Sequence, residues 1–154
     1  MDYHIREAQI DDADSIAKLL LQLGYETKSS DVRHMLLATN DVASTTNDEV
    51  YVCVFKGDVV AVMSLIFFNY FPSAQKLCRI TAIVVDDSLR GSGIGSHLIH
   101  HAKCVASTAS CSVLEVTTSL KRLQTQSYYE KIGFKKTSYK YVLKLDKIER
   151  TESS

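Results

Sequence analysis

Nothing in this chain approaches the ~18 consecutive apolar residues that a membrane-spanning helix requires. No charge sign predominates either. Eighteen basic and eighteen acidic residues cancel, which argues against a nucleic-acid or membrane-surface binder while leaving room for local patches. The first residues, Met1-Asp2-Tyr3-His4-Ile5-Arg6, lack the charged and then apolar segments of a secretory leader, so a cytosolic protein is expected. Cysteines are few and badly spaced for a metal. Cys53, Cys78, Cys104 and Cys111 form no CxxC pair, and three of them fall in apolar patterns, which predicts buried, reduced thiols. Proline occurs once, at Pro72, and no repeat, linker or low-complexity block interrupts the chain.

What is there suits one globular domain. The 154 residues are 45% hydrophobic, enough for a core without disulfides or metal, and a single domain over residues 1–146 with a polar tail over 147–154 is expected. Residues 3–8 read as a strand. Carboxylates at Asp11, Asp12 and Asp14 then open a helix carrying Ile16, Leu19, Leu20 and Leu23, and Gly24 closes it. A second helix from Ser29 or Ser30 to about Ala38 precedes a polar loop, Thr39 to Glu49. Val50–Phe55 and Val59–Phe68 around Gly57-Asp58 have the pattern of an antiparallel hairpin. Leu77–Val85 is a further strand, followed by a helix from about Gly93 to Ala109, a strand at Val113–Thr117, a helix through Ile132 and a last strand at Tyr139–Leu145. That order predicts an α+β fold, a central mixed and mostly antiparallel sheet with helices on both faces.

The stretch Arg90-Gly91-Ser92-Gly93-Ile94-Gly95 follows the apolar run Ile80–Val85 directly. A strand that ends in a Gly-rich turn and restarts as a helix presents free N–H groups backed by the helix dipole, which makes a diphosphate cradle. The preceding hairpin and the absence of repeated βαβ units argue against a dinucleotide fold, and no Gly-Lys-Ser/Thr follows to make a P-loop.

Arg90 to Gly95 matches R-x-x-G-x-G, and Tyr128-Tyr129-Glu130-Lys131-Ile132-Gly133-Phe134 is similar to F-Y-E-K-x-G-F. On these two motifs the chain resembles the GCN5-related N-acetyltransferases (GNAT). The resemblance implies acetyl-CoA as cosubstrate and direct transfer of acetyl to a primary amine, of a small molecule. Ile83, Val84 and Val85 would hold the pantetheine arm through main-chain groups, and Arg90, Gly91, Ser92, Gly93, Ile94, Gly95 and Ser96 would hold the diphosphate. Tyr129 matches the family's general acid for the departing thiolate, its alternative being an aromatic of an amphipathic helix. Ser119 stands where an Asn often contacts the cofactor.

Relatives often carry a base on the strand before the turn, where this chain has Arg79, Thr81 and Ala82. Water, a backbone carbonyl or Glu115 is left to take the ammonium proton, with water ranked first. The segment Glu115–Tyr129 is most similar to members that acetylate small amines, including aminoalkylphosphonate N-acetyltransferases. Arg79, if it faces the acceptor, favours a substrate bearing a carboxylate or phosphonate. Thr81 beside it, and Tyr70 and Phe71 in the loop Asn69–Gln75, are further acceptor candidates, with the loops Gly24–Ser30 and Thr39–Glu49. His97, His100 and His101 read as a solvent-facing cluster and no metal is expected. Exposed strand edges and the resemblance suggest a homodimer. The missing base and Asn motivate a second reading, a CoA-binding sensor or partner module with little turnover.

Overall fold

The computed structural model describes residues 2–41, 47–118 and 122–146. The chain forms two compact units, residues 1–117 and 118–154. In the first, β1 (Tyr3–Glu7), α1 (Ala13–Leu23), α2 (Ser29–Asn40), β2 (Asp48–Phe55), β3 (Asp58–Tyr70), β4 (Gln75–Val85), α3 (Ile94–Thr108) and β5 (Val113–Val116) follow in order. Short 3₁₀ turns stand at Ile10–Asp12, Phe71–Ser73 and Asp87–Leu89. The second unit holds α4 (Leu123–Lys131).

The sheet has the order β1-β2-β3-β4-β5, antiparallel up to β4 and parallel between β4 and β5. Its two faces are read from the register. Val52, Val54, Val62 and Val84 point to one side, where Ile16 and Leu19 of α1 and Val32 and Leu36 of α2 cover them. Strand positions that alternate with these face α3, whose Leu98, Ile99, Ala102 and Ala106 are buried. On that side the His101 ring meets Tyr51 edge-on, with centroids 4.6 Å apart. The α+β arrangement with helices on both faces is therefore present within the first unit.

Several local expectations shift. The hairpin turn is Lys56-Gly57, both with positive φ (51° and 80°), which gives the twist that a two-residue hairpin connection needs. Of the acidic cluster, Asp14 lies in the first turn of α1 as expected, and Asp12 stands at its N-cap without a side-chain capping bond. Asp11 and Asp12 lie in the 3₁₀ turn that precedes it, and Asp12 is bonded to Arg6. Cys53 and Cys78 are buried, but Cys104 is exposed and Cys111 only half-buried, because α3 turns its Cys104 position away from the sheet; all four thiols are free. His101 is not solvent-facing either. It packs on Tyr51, its Nε2 is buried without a partner among the described residues, and burial, then the charge of His97, lowers its pKa. No strand forms at Tyr139–Leu145. Alternation specifies faces and not a partner edge, and the segment is left exposed, with Tyr141 93% accessible.

The entry into α1 rests on one ion pair. Arg6 on β1 donates to Asp12 at 2.7 and 3.0 Å, and the same carboxylate accepts the Gln9 N–H at 2.7 Å. The Arg6 hydrogen bond, with the Gln9 N–H and the Arg6 charge, holds the Asp12 carboxyl below its usual range against the upward effect of burial. Since the folded value lies below the unfolded one, the stabilisation is full above the ordinary carboxylate range. It is lost as pH falls through the folded value. Asp12→Asn should cost about 1–3 kcal/mol in urea denaturation at neutral pH. The gap to the wild type should close below about pH 4, and a gap unchanged in acid would contradict the assignment.

Candidate active site

The connection from β4 to α3 is built on Asp86. Its N–H reaches the Val60 carbonyl at 2.8 Å, and its carboxylate accepts the Ser88 N–H at 2.9 Å and the Ser88 hydroxyl at 2.6 Å. Gln22 of α1 grips the same corner, donating to Asp86 at 3.3 Å and accepting from the Asp87 N–H at 3.0 Å. The Ser88 and Gln22 bonds hold the Asp86 carboxyl below its usual range. This corner fixes where the chain leaves the sheet.

Beyond it, Gly91 (φ 80°) and Gly93 (φ 89°) occupy the left-handed region. A Cβ at either would meet no atom within 4 Å, so the constraint is backbone conformation and not space. Alternate positive φ turns successive N–H groups toward one side, the arrangement that concentrates donors on an anion. Among the described residues the N–H groups of Gly91, Gly93, Ile94 and Gly95 have no backbone acceptor, whereas that of Ser92 bonds the Leu89 carbonyl at 3.3 Å. The Ser92 hydroxyl also bonds Leu89. Ser92 thus shapes the turn, and its N–H is not among the free donors. Arg90 pairs with Asp87 at 2.6 Å, but both side chains are mostly exposed and such a pair is weak.

Parallel pairing of β4 with β5 spans Leu77 with Val113 through Ile80 with Val116. Past that point β4 keeps its ladder to β3 as far as Val85, and no strand among the described residues pairs with its other edge. Ile83, Val84 and Val85 therefore expose main-chain groups along a gap that ends at the Gly-rich turn. Val84 is buried in the α1 and α2 core, while Ile83 and Val85 are half-buried. Register with β3 shifts between Ser64–Ala82 and Leu65–Ile80, leaving Thr81 as the extra residue of a bulge. The Thr81 hydroxyl lies 2.6 Å from that of Ser64 and 3.3 Å from the Ser64 carbonyl.

Arg79 is not a free cation. Its Nε and one Nη lie 2.8 and 2.7 Å from the same oxygen of Glu115, and its guanidinium stands 4.8 Å from the Phe68 ring centroid. The sequence offered both residues separately. Their parallel register, which no local pattern encodes, is what joins them. Tyr70 and Phe71 lie elsewhere. They sit at the closed end of the β3–β4 hairpin, four residues or about 13 Å along β4 from Arg79, and Phe71 is 95% exposed. Among the described residues the three predicted acceptor loops do not all line one cavity. Asn69 shares a cavity of about 810 Å³ with Asp41 and with Asn47 to Val50, whereas Glu26 to Ser29 line a separate recess against α1.

In the second unit, Tyr129 is 7% exposed. Gly133 (φ 107°) turns the chain after α4, so that the Phe134 N–H reaches the Tyr129 carbonyl at 2.9 Å and the Phe134 ring meets that of Tyr129 at 5.6 Å. Burial first, and then Tyr128, push the Tyr129 phenol up to about 12. Ser119 lies outside the described residues.

The model of the acetyltransferase (GNAT) family matches residues 13–134. The chain is 24% identical over 139 residues to the aminoalkylphosphonate N-acetyltransferase of Salmonella typhimurium, covering 89% of this chain and 88% of that one. Its fold is similar to glucosamine-6-phosphate N-acetyltransferase from Arabidopsis thaliana, with a TM-score of 0.76 and 20% identity over 95% of this chain and 100% of that one. It is likewise similar to ribosomal-protein-alanine N-acetyltransferase from Brucella melitensis biovar Abortus, with a TM-score of 0.76 and 20% identity over 94% and 100% of the respective chains. A strand that parts from its neighbour and ends in a Gly-rich turn, carried on this sheet order and within the matched span, leads to one conclusion: the chain belongs to the acetyltransferase (GNAT) family and is an N-acetyltransferase.

Proposed function

We propose that the protein transfers acetyl from acetyl-CoA directly to the primary amine of a small molecule. The observation that carries this reading is the continuity of free main-chain groups from Ile83 on β4 to the unpaired N–H groups of Gly91, Gly93, Ile94 and Gly95. The edge of β4 offers alternate donors and acceptors to the amide-bearing arm. The turn and the first residues of α3 offer donors and the helix dipole to the diphosphate. Bound there, acetyl-CoA supplies the activated acetyl group as a thioester.

Each residue then has a task that its setting supports. Main-chain N–H groups near Val85 are the donors for the oxygen of the thioester carbonyl, which gains charge during attack. Tyr129, a phenol that is protonated throughout the neutral range and that burial raises further, holds the proton for the departing thiolate. Arg90 can exchange its exposed partner Asp87 for phosphate oxygens at little cost. A small amine as acceptor is supported by the Salmonella relative, which is named for aminoalkylphosphonates.

Gly93→Ala forces a Cβ into the left-handed region and should cost about 1–2 kcal/mol of stability, while CoA affinity by titration calorimetry falls about tenfold. Unchanged affinity would mean that the diphosphate sits elsewhere. For Tyr129→Phe, thiol release from acetyl-CoA in the presence of an accepted amine should drop by about 100-fold, with CoA affinity unchanged. CoA binding without thiol release for any amine would turn the reading toward a sensor or partner module.

A further inference from the structure

The register between β4 and β5 places Arg79 and Glu115 at the last pair but one before the two strands part. They lie on the sheet face opposite α3. Val62 belongs to the core beneath α1 and α2, Ile66 lies on the same side of β3, and Ile66, Arg79 and Glu115 are successive partners across three strands. A group lying in the gap beyond Ile80 is thus reached from this face by the Arg79–Glu115 pair and from the other by the helix that follows the Gly-rich turn. Both side chains are about one-third exposed, 36% and 33%.

The geometry of the pair is one-sided. Both bonds from Arg79 converge on Oε2 of Glu115, and among the described residues Oε1 has no donor. Arg79 is the one charged group within ion-pair distance of Glu115 among those residues. Phe68 stacks on the guanidinium and limits its swing. The result is a carboxylate held in place through one oxygen, with its second oxygen open. Arg79 has its charge cancelled and two of its nitrogens committed.

Resting on the acetyl-transfer reading above, we propose that Oε1 of Glu115 docks the acceptor's ammonium and takes its proton, that Arg79 positions Glu115, and that the acceptor is an amine without an anionic group near its nitrogen. In the step, an ammonium N–H bond breaks and its proton forms the O–H bond of the Glu115 carboxylic acid. The nitrogen lone pair forms the C–N bond to the thioester carbonyl carbon, and the C–S bond breaks with its electron pair on sulfur. The second nitrogen proton lost in forming the amide balances the one that the thiolate takes up, and Glu115 returns its proton to solvent.

The charge preference follows from the same contacts. A phosphonate or carboxylate on the acceptor would find Arg79 already neutralised and would face the Glu115 carboxylate at close range. The neighbouring cavity, which Phe68 also lines, adds the carboxylates of Glu7, Asp48 and Glu49 against Lys76, the one cation that lines it among the described residues. Its field favours cations. This departs from the expectation that Arg79 selects an anionic substrate, because that expectation took Arg79 without its partner.

The test compares 1,3-diaminopropane, ethylamine, 2,2,2-trifluoroethylamine and 2-aminoethylphosphonate as acceptors with acetyl-CoA. The wild type should show kcat/KM for the diamine at least about tenfold above that for the phosphonate. Glu115→Gln should lower kcat for ethylamine by about 100-fold or more, with CoA affinity and melting temperature unchanged. That deficit should shrink for trifluoroethylamine, which is largely unprotonated at neutral pH and needs no base. Arg79→Gln should lower kcat for ethylamine and the diamine and, like Glu115→Gln, much less for trifluoroethylamine, with partial rescue by Arg79→Lys. A rise in KM confined to the phosphonate would make Arg79 an anion receptor and overturn the proposal, as would a phosphonate preference or full activity of Glu115→Gln. Absence of turnover of any amine by the wild type would sink the acetyl-transfer reading itself, and the proposal with it.

Discussion

Backbone pairing between β4 and β5 ends at Ile80 and Val116, while β4 continues to Val85 against β3 alone. Every consequence for function descends from that mismatch in length. Peptide groups within a sheet must find partners, and a strand whose second edge is left open offers its donors and acceptors to water or to a ligand with amide character. The same edge runs into a turn where, among the described residues, the N–H groups of Gly91, Gly93, Ile94 and Gly95 lack a backbone acceptor, those of Ile94 and Gly95 because the first turn of any α-helix leaves its donors free. Two separate deficits of hydrogen bonding therefore lie end to end along one segment.

The sheet makes this arrangement affordable elsewhere in the molecule. The face under α1 and α2 is closed by aliphatic side chains on both layers, and the face under α3 by small and branched residues that let the helix lie close. Gln22 ties the end of α1 to Asp86, so the corner from which the turn departs is held by the same helix that closes the core. The bulge at Thr81 breaks the alternation of β4. Without it Arg79 and Val84 would point to opposite faces, and the polar pair and the core could not share one side of the sheet.

Much of this was legible in the residues. β-branched runs, the Gly-rich turn and the helical periodicity of Ile16, Leu19 and Leu23 are local signals, and local signals set the elements and the turn. What was not legible is what depends on register. Arg79 and Glu115 are thirty-six positions apart, and their pairing emerges only when β4 and β5 align in parallel. Tyr139 to Leu145 has a strand's alternation yet no strand partner among the described residues, because period-two patterning states which side chains share a face and is silent on which edge will accept them. His101 looked like one of three surface histidines, but a helix turns 100° per residue, and that is enough to bring it against Tyr51 while His100 stays outside. Tyr70 and Phe71 were drawn toward the acceptor by their bulk, and the register sets Tyr70 opposite Gln75, four residues along β4 from Arg79.

The central claim is that one continuous track of free main-chain groups, from β4 through the Gly-rich turn, receives the cosubstrate. Amide NMR on the full chain, titrated with CoA, tests it at the atoms concerned. The account predicts downfield shifts and slowed exchange at the N–H groups of Gly91, Gly93, Ile94 and Gly95, together with changes along residues 83–85 and little change in β1 or α2. Saturable binding that leaves those amides unmoved would contradict it.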